Sequence, residues 1–497
     1  MKRGILIVII MMLWLSLTSQ ENPAVKQVRR GDLEELKETA AGDQDTIQEK
    51  TEIKNAPPKQ IVWSNVKHYM NHDIFIDNGE TLIIEPGTHV YVTGDYGIYI
   101  KQGGLLKARG NRDNPIIFAA DYDKDGKTGE YVSNEKYEKW SGITIYSGIM
   151  KGKYNHLSYC YFNNGIDPRE YLAESGDVLD EESQYFITRD TESNLIKVTG
   201  LTSLLLENCI FRNCNYKEDD LIKGRDCRMT FRDCEFRNCT GNFDFYNTIL
   251  KLERTDFIDN SQITMNLASG ETYFSNTNFL YCDILRFDST RQRKLSIQES
   301  SFLNSGSDNY LIEADNCQDM AISNSIFEDI KGIELLKVAD TRLKIDRSLF
   351  SDPDIGSVIS IDNYELNSIL IVNCELEKCR NSLLKMGSNI ELYIFNSILN
   401  TLGTETIIFD AESSGCSLTA QNCVIDSSVA KSNDFYRMPT DLANNYEPAI
   451  LSRSDSRDLI DKGVTGYKML IRGKRLIVQN DFYGQAPDIG RKEFRGY

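Results

Sequence analysis

Apolar and polar residues alternate with a period of two in short bursts along this chain, and the bursts recur. One phrase returns ten times between Leu204 and Asp426: two or three alternating apolar positions, a polar step, Asn/Asp/Ser, Cys/Ser/Thr, any residue, then an apolar anchor. It reads LLLENCIF to Phe211, MTFRDCEF to Phe236 and LKLERTDF to Phe257. It continues through Phe279, Phe302, Phe327, Phe350, Leu376, Leu399 and Ile425, with successive anchors 21 to 26 residues apart. Period-two alternation sends one set of side chains inward and the other outward. With Phe211 inward, Cys209 shares its face, and Phe236 and Cys234 repeat the arrangement. Asn, Asp, Ser and Gly in the spacers are residues that turn a chain. The pattern predicts an all-β fold, a parallel β-helix in which two or three short strands make each coil. No coil buries its own apolar face; stacking does so. At a rung spacing of ~4.8 Å, ten coils span roughly 45 Å. A leucine-rich repeat shares this period but needs an apolar helix or its equivalent on the convex side. Spacers such as 214–227 and 259–271 lack i, i+3, i+4 apolar spacing.

The pattern changes at both ends. MKRGILIVIIMMLWLSLTS has a basic start, an apolar run from Ile5 to Leu15 and small residues near Ser16–Ser19. It reads as a signal peptide over 1–19, too short for an ordinary membrane span. Residues 20–58 are polar and end in Asn55-Ala56-Pro57-Pro58, the composition of a tether. Residues 59–160 carry a different strand rhythm and are expected to form the opening coils and cover that end. An acidic stretch at 165–195 is expected to loop out before the regular coils of 196–430, and 431–497 to close the far end. No later apolar stretch is long enough to span a bilayer, so the expected location is secreted, periplasmic or cell-surface.

Charge narrows the partners. Lys+Arg 56 against Asp+Glu 74 gives −18, and loss of Lys2 and Arg3 with the signal gives −20. This argues against general nucleic-acid or anionic-membrane binding, a local basic patch aside, and it disfavours an acidic polysaccharide unless a cation intervenes.

The opening coils read TLIIEPGTHVYV, GIYIKQGGLLKARG, NPIIFAA and WSGITI. With Glu85-Pro86-Gly87-Thr88, Gly104, Leu106, Ala108, Gly110, Pro115, Phe118 and Trp140-Ser141-Gly142-Ile143, they resemble the start of a known group. These are the secreted bacterial right-handed parallel β-helix proteins of the pectin-lyase-like group. The tail, RDLIDKG at 457–463 and NDFYGQAPDIGRKEF at 480–494, is similar to that group's ending. The resemblance spans most of 60–494 and implies the right-handed solenoid with capped ends, and export. It does not imply one function, because the group mixes polysaccharide lyases, glycoside hydrolases and adhesins.

Nine of the twelve cysteines fall into two registers: Cys160, Cys209, Cys234, Cys374 and Cys423 two residues before an anchor, and Cys214, Cys239, Cys282 and Cys379 three after one. Ser325 and Ser397 take the first register in other coils. Two readings fit: a stack of small residues inside the solenoid, or disulfides between coils such as Cys209–Cys234 or Cys214–Cys239.

Asp121-Tyr-Asp123-Lys-Asp125-Gly126, with Glu130 at the tenth position, places oxygen ligands at alternate positions around a turn-forming glycine. It is a candidate Ca2+ loop, though Val132 stands where an EF-hand has Glu. For β-elimination, the best basic cluster is Lys223 and Arg225 beside Glu218, Asp219 and Asp220, with Arg254 about one coil later. For glycoside hydrolysis, stacked coils could supply carboxylate pairs such as Asp346 with Asp362 or Asp315 with Asp340. His68 and His72 have i, i+4 spacing but sit in a loop pattern. Twenty-five tyrosines are available to stack on sugars, some of them necessarily in the core. The expectation is a glycan-associated binding or scaffold protein with a polysaccharide or cell-surface glycan as partner; the alternative is a polysaccharide lyase acting on uronic-acid glycans.

Overall fold

The structure, a computed structural model, describes residues 59–64, 67–121, 131–132, 136–137, 140–146, 154–163, 194–351, 354–363, 367–379, 382–401, 405–409, 417–421, 423–425, 450–451, 467–471 and 474–478. The chain divides into two compact units, Met1–Pro57 and Pro58–Tyr497, and every described residue belongs to the second. The signal and tether expected over 1–58, the acidic loop apart from its last two residues, and most of the closing segment lie outside the described residues.

Three parallel sheets, here A, B and C, hold fourteen, fifteen and thirteen strands. The chain visits them in turn: Ser203–Glu207 in A, Ile210–Arg212 in B, Asn215–Arg225 in C, then Arg228–Arg232 back in A. This is a parallel β-solenoid, with no helix among the described residues. The described strands from Lys59–Trp63 to Cys160–Asn163 that lie in these sheets form its first rungs, and Lys59–Trp63, Lys67–Met70 and Ile74–Ile76 are the outermost described strands of A, B and C at that end. Of the closing segment, Ile450–Leu451 joins sheet B beside Cys423–Ile425. Tyr467–Ile471 and Lys474–Val478 pair antiparallel.

The anchors line up rung on rung. Phe211, Phe236, Phe257 and Phe279 are register partners in sheet B. With Phe118, Phe162, Phe302, Phe327 and Phe350 they form a continuous column of parallel rings, centroids 4.3–5.0 Å apart and planes within 14°. The rung spacing imposes this face-to-face overlap, and Trp140 adds an indole to the Phe118 end. Every ring in the column is buried, which is worth about 1.5–3 kcal/mol per side chain.

The polar step in the phrase is a corner. Each turn from sheet A to sheet B between Asn208 and Asn396 is made by one residue with φ of 49–54°. Side chains with a Cβ resist that left-handed conformation, and Asn and Asp resist it least. That explains Asn208, Asp233, Asn276, Asn324, Asn373 and Asn396; Arg254, Glu299 and Arg347 take the same turn at greater cost.

The residue after each such corner points inward, is small, and donates a hydrogen bond back to the backbone. Thr277 Oγ1 donates to the Leu252 carbonyl (3.1 Å) and the Cys234 thiol to the Leu206 carbonyl (3.6 Å), each in the preceding rung. Ser300, Ser325 and Ser348 continue the ladder, each hydroxyl accepting from the backbone N–H of the equivalent residue one rung earlier. The ten cysteines whose side chains are described are buried, and Cys209, Cys234 and Cys239 are free thiols, so the small-residue stack is the arrangement found and neither Cys209–Cys234 nor Cys214–Cys239 is bridged. Burial pushes the Cys374 thiol up to about 12 and the Cys227 and Cys282 thiols up to about 11. Cys227 and Cys317 occupy a third register, after the corner from C to A.

Candidate functional site

The three corners differ in how much they vary. From Asn208 to Ser397 the A-to-B corner has two residues in every rung. The B-to-C corner ranges from two residues (Asn213–Cys214) to six at 304–309, and to the long interruptions at 121–142 and 164–195. In sequence, the candidate Ca2+ loop and the acidic stretch both fall between a strand of sheet B and the next strand of sheet C. Repeat insertions that gather on one face commonly mark the face used for binding.

Sheet C is also the widest face in the middle rungs. Thr240–Tyr246, Gln262–Ala268 and Ile284–Thr290 are seven-residue strands, against three in the neighbouring strands of sheet B. Alternation puts Phe75, Tyr146 and Tyr246 outward, 49%, 44% and 48% exposed. Phe75 stacks on Tyr99 (5.2 Å), with Lys101 Nζ 4.7 Å from the Phe75 centroid. Tyr146 and Tyr246 share one outward column with Thr199 and Arg225 between them.

Lys223 and Arg225 are brought together on this face, two residues apart on one strand. Lys223 Nζ lies 2.8 Å from Asp220 and 3.7 Å from Asp244, its register partner one rung on. The Arg225 guanidinium lies 5.7 Å from the centroid of the Tyr246 ring. Arg254 is not part of this group: it forms an A-to-B corner, and its Nε and Nη2 donate to the Asp233 carboxylate at 2.6 and 2.8 Å. Of the calcium set, Asp121 is fully buried at the end of the strand Ile116–Ala120, and its N–H donates to the Val92 carbonyl. Asp123, Asp125 and Glu130 lie outside the described residues. Among the described residues no three His, Cys, Asp or Glu side chains gather as a metal-binding group. Asp346 lies in sheet A and Asp362 in sheet C, so they share no face. Asp315 points outward from sheet C, whereas Asp340 makes a C-to-A corner. His68 stacks on Trp63 and His72 contacts Asn71, so the two histidines do not act as a pair.

A second polar cluster on sheet C escaped the sequence reading. Arg286 Nε donates to Asp288 Oδ1 (2.9 Å), and the Tyr310 hydroxyl donates to the same oxygen (2.8 Å) while accepting from Arg286 Nη2. One rung further, Lys337 Nζ donates to Glu313 Oε1 (2.7 Å). Arg286 and Lys337 lie 4.6 and 5.4 Å from the Tyr310 centroid. Burial first, then hydrogen bonding to Glu313 and Asp288, raises the Tyr310 phenol far above its ordinary value. Burial works to raise the Glu313 carboxyl, but hydrogen bonds from Lys337 and Tyr310 outweigh it and hold the group below the usual carboxylate range. Alternation in ILRFDST, YLIEAD and ELLKVA marks Arg286, Asp288, Glu313 and Lys337 as outward, whereas Tyr310 shares the parity of Ile312 and Ala314 and is buried beneath them. Their meeting depends on register across a six-residue corner, which no local motif encodes.

No family model matches the chain, and no curated protein matches it. Among solved structures the chain is similar to a mannuronic acid specific polysaccharide family 6 lyase enzyme from human gut microbiota. The identity is 10%, the TM-score 0.31, and the match covers 81% of this chain and 87% of that one. Likeness at that level concerns architecture alone, and nothing of the lyase's chemistry is transferred by it.

Proposed function

We propose that this protein is an exported glycan-binding scaffold whose ligand lies along the outward face of sheet C. The observation that carries the reading is that sheet C, the widest face in the middle rungs, exposes Phe75, Tyr146 and Tyr246 in line with outward hydrogen-bonding side chains such as Thr199 and Arg225. An aromatic face covers the C–H face of a pyranose, and paired charged groups exchange hydrogen bonds with its hydroxyls. Affinity electrophoresis of the full chain through gels containing polysaccharides tests the reading. Retardation by at least one glycan, weakened in Tyr246→Ala with the melting temperature unchanged, is the expected result. Equal mobility in every gel would sink it.

The second reading, a lyase acting by β-elimination, draws on the placement of Lys223 and Arg225 side by side on that face. It requires new ultraviolet absorbance from uronic-acid polysaccharides, tested with and without calcium, and its loss in Lys223→Ala. Calcium at Asp121, Asp123, Asp125 and Glu130 is a separate structural proposal, since a hard cation needs about six to eight oxygens. Calorimetry with millimolar Ca2+ on the wild type and on Asp123→Asn decides it.

A further inference from the structure

Resting on the glycan-binding reading, we infer that the ligand of sheet C is a neutral, hydroxyl-rich polysaccharide and not a uronate. Cations in the middle of this face are matched by carboxylates in direct contact. Lys223 has Asp220 and Asp244, Arg286 has Asp288, and Lys337 has Glu313, at 2.7–3.7 Å. A uronate carboxylate arriving here would have to displace one of these acids or sit beside it, against the repulsion of the one it failed to displace. The whole chain, at −18, adds a long-range repulsion of the same sign.

A neutral sugar meets no such penalty. Each hydroxyl both donates and accepts, and a carboxylate beside a guanidinium or ammonium offers an acceptor and donors within one hydroxyl's reach. Tyr310 is buried behind these charges and positions them: its hydroxyl donates to Asp288 and accepts from Arg286. Arg225, on the same strand as Lys223, lies over the Tyr246 ring. Tyr246 is half exposed, so its ring is open to the apolar face of a sugar. Hydrogen-bonding clusters thus follow an aromatic platform along one line of rungs.

The test is isothermal calorimetry of the full chain with a neutral panel (mixed-linkage glucan, xylan, galactomannan) and a uronate panel (polygalacturonate, alginate), at low and high sodium chloride. A neutral polysaccharide is expected to bind with a Kd that changes less than about twofold with salt, since no net charge is neutralised. Asp288→Asn should weaken that binding by about tenfold. Binding confined to uronates, weakening with salt and strengthening in Asp288→Asn, would overturn the neutral assignment while leaving the glycan-binding reading intact. Binding to neither panel would overturn both.

Discussion

The A-to-B corner and the B-to-C corner share a left-handed residue, yet from Asn208 to Ser397 the first keeps its length at two residues while the second varies. The difference follows from what comes next. Two residues beyond Cys209, Cys234 or Thr277 stands a ring of the phenylalanine column, gripped on both sides at under 5 Å. An added residue there would turn the ring out of the stack, because strand side chains alternate. Beyond the B-to-C corner the chain enters longer strands that bury aliphatic side chains together with Phe243 and Phe287, whose rings meet the column edge-on and not face to face, and a loop can leave before the strand begins. Uniformity therefore marks where the core is strictly columnar, and variation marks the face open to selection for binding.

The sharpest way to break this comparison is to lengthen each corner by one glycine. Insertion between Asn276 and Thr277 is expected to cost about 3–5 kcal/mol, the scale of losing a buried Phe. Insertion between Asp308 and Asn309 is expected to cost under about 1 kcal/mol, since loop closure depends weakly on length. Urea denaturation of the two variants makes the measurement, and equal losses would refute the distinction.

A smaller effect is expected at the inward corner residue. Thr277→Val keeps the shape and removes a hydroxyl that donates to the Leu252 carbonyl. It should destabilise by about 1–2 kcal/mol, whereas Thr277→Ser, the residue used at Ser300 and Ser325, should cost less. The same denaturation experiment reads both.

The smallest effect concerns the corner pair Arg254–Asp233. Hydrogen bonds from Arg254 hold the Asp233 carboxyl below its ordinary value, with partial burial opposing. A depressed carboxyl stabilises the fold above the unfolded-chain value, near 3.9, and loses that contribution as pH falls through the folded-state value. In Arg254→Ala the carboxyl should titrate closer to the ordinary range by NMR, and acid unfolding should begin at slightly higher pH. An unchanged titration would show that the bidentate contact does not form in solution.

Much of this architecture was legible in the sequence because the column writes itself there. Phe211 through Phe350 recur with a local phrase, and the period alone implies stacking. The third thiol register was missed because Cys227 and Cys317 follow a corner with no aromatic anchor nearby. Grouping Arg254 with Lys223 went astray for a related reason. Position around the coil, not distance along the chain, decides which residues meet, and Arg254 stands three residues before an anchor, at the A-to-B corner. The cluster of Arg286, Tyr310 and Lys337 was illegible because its members come from three rungs separated by corners of unequal length.

The invariant corner has one more consequence, for how such a chain can change over generations. Since each ring from Phe211 to Phe350 follows the same two-residue turn, a stretch such as Thr255–Asn276 begins and ends at equivalent points. In-frame duplication or deletion of that stretch by unequal crossing-over would rejoin like with like, so the gene can gain or lose whole storeys while the ground plan stays the same.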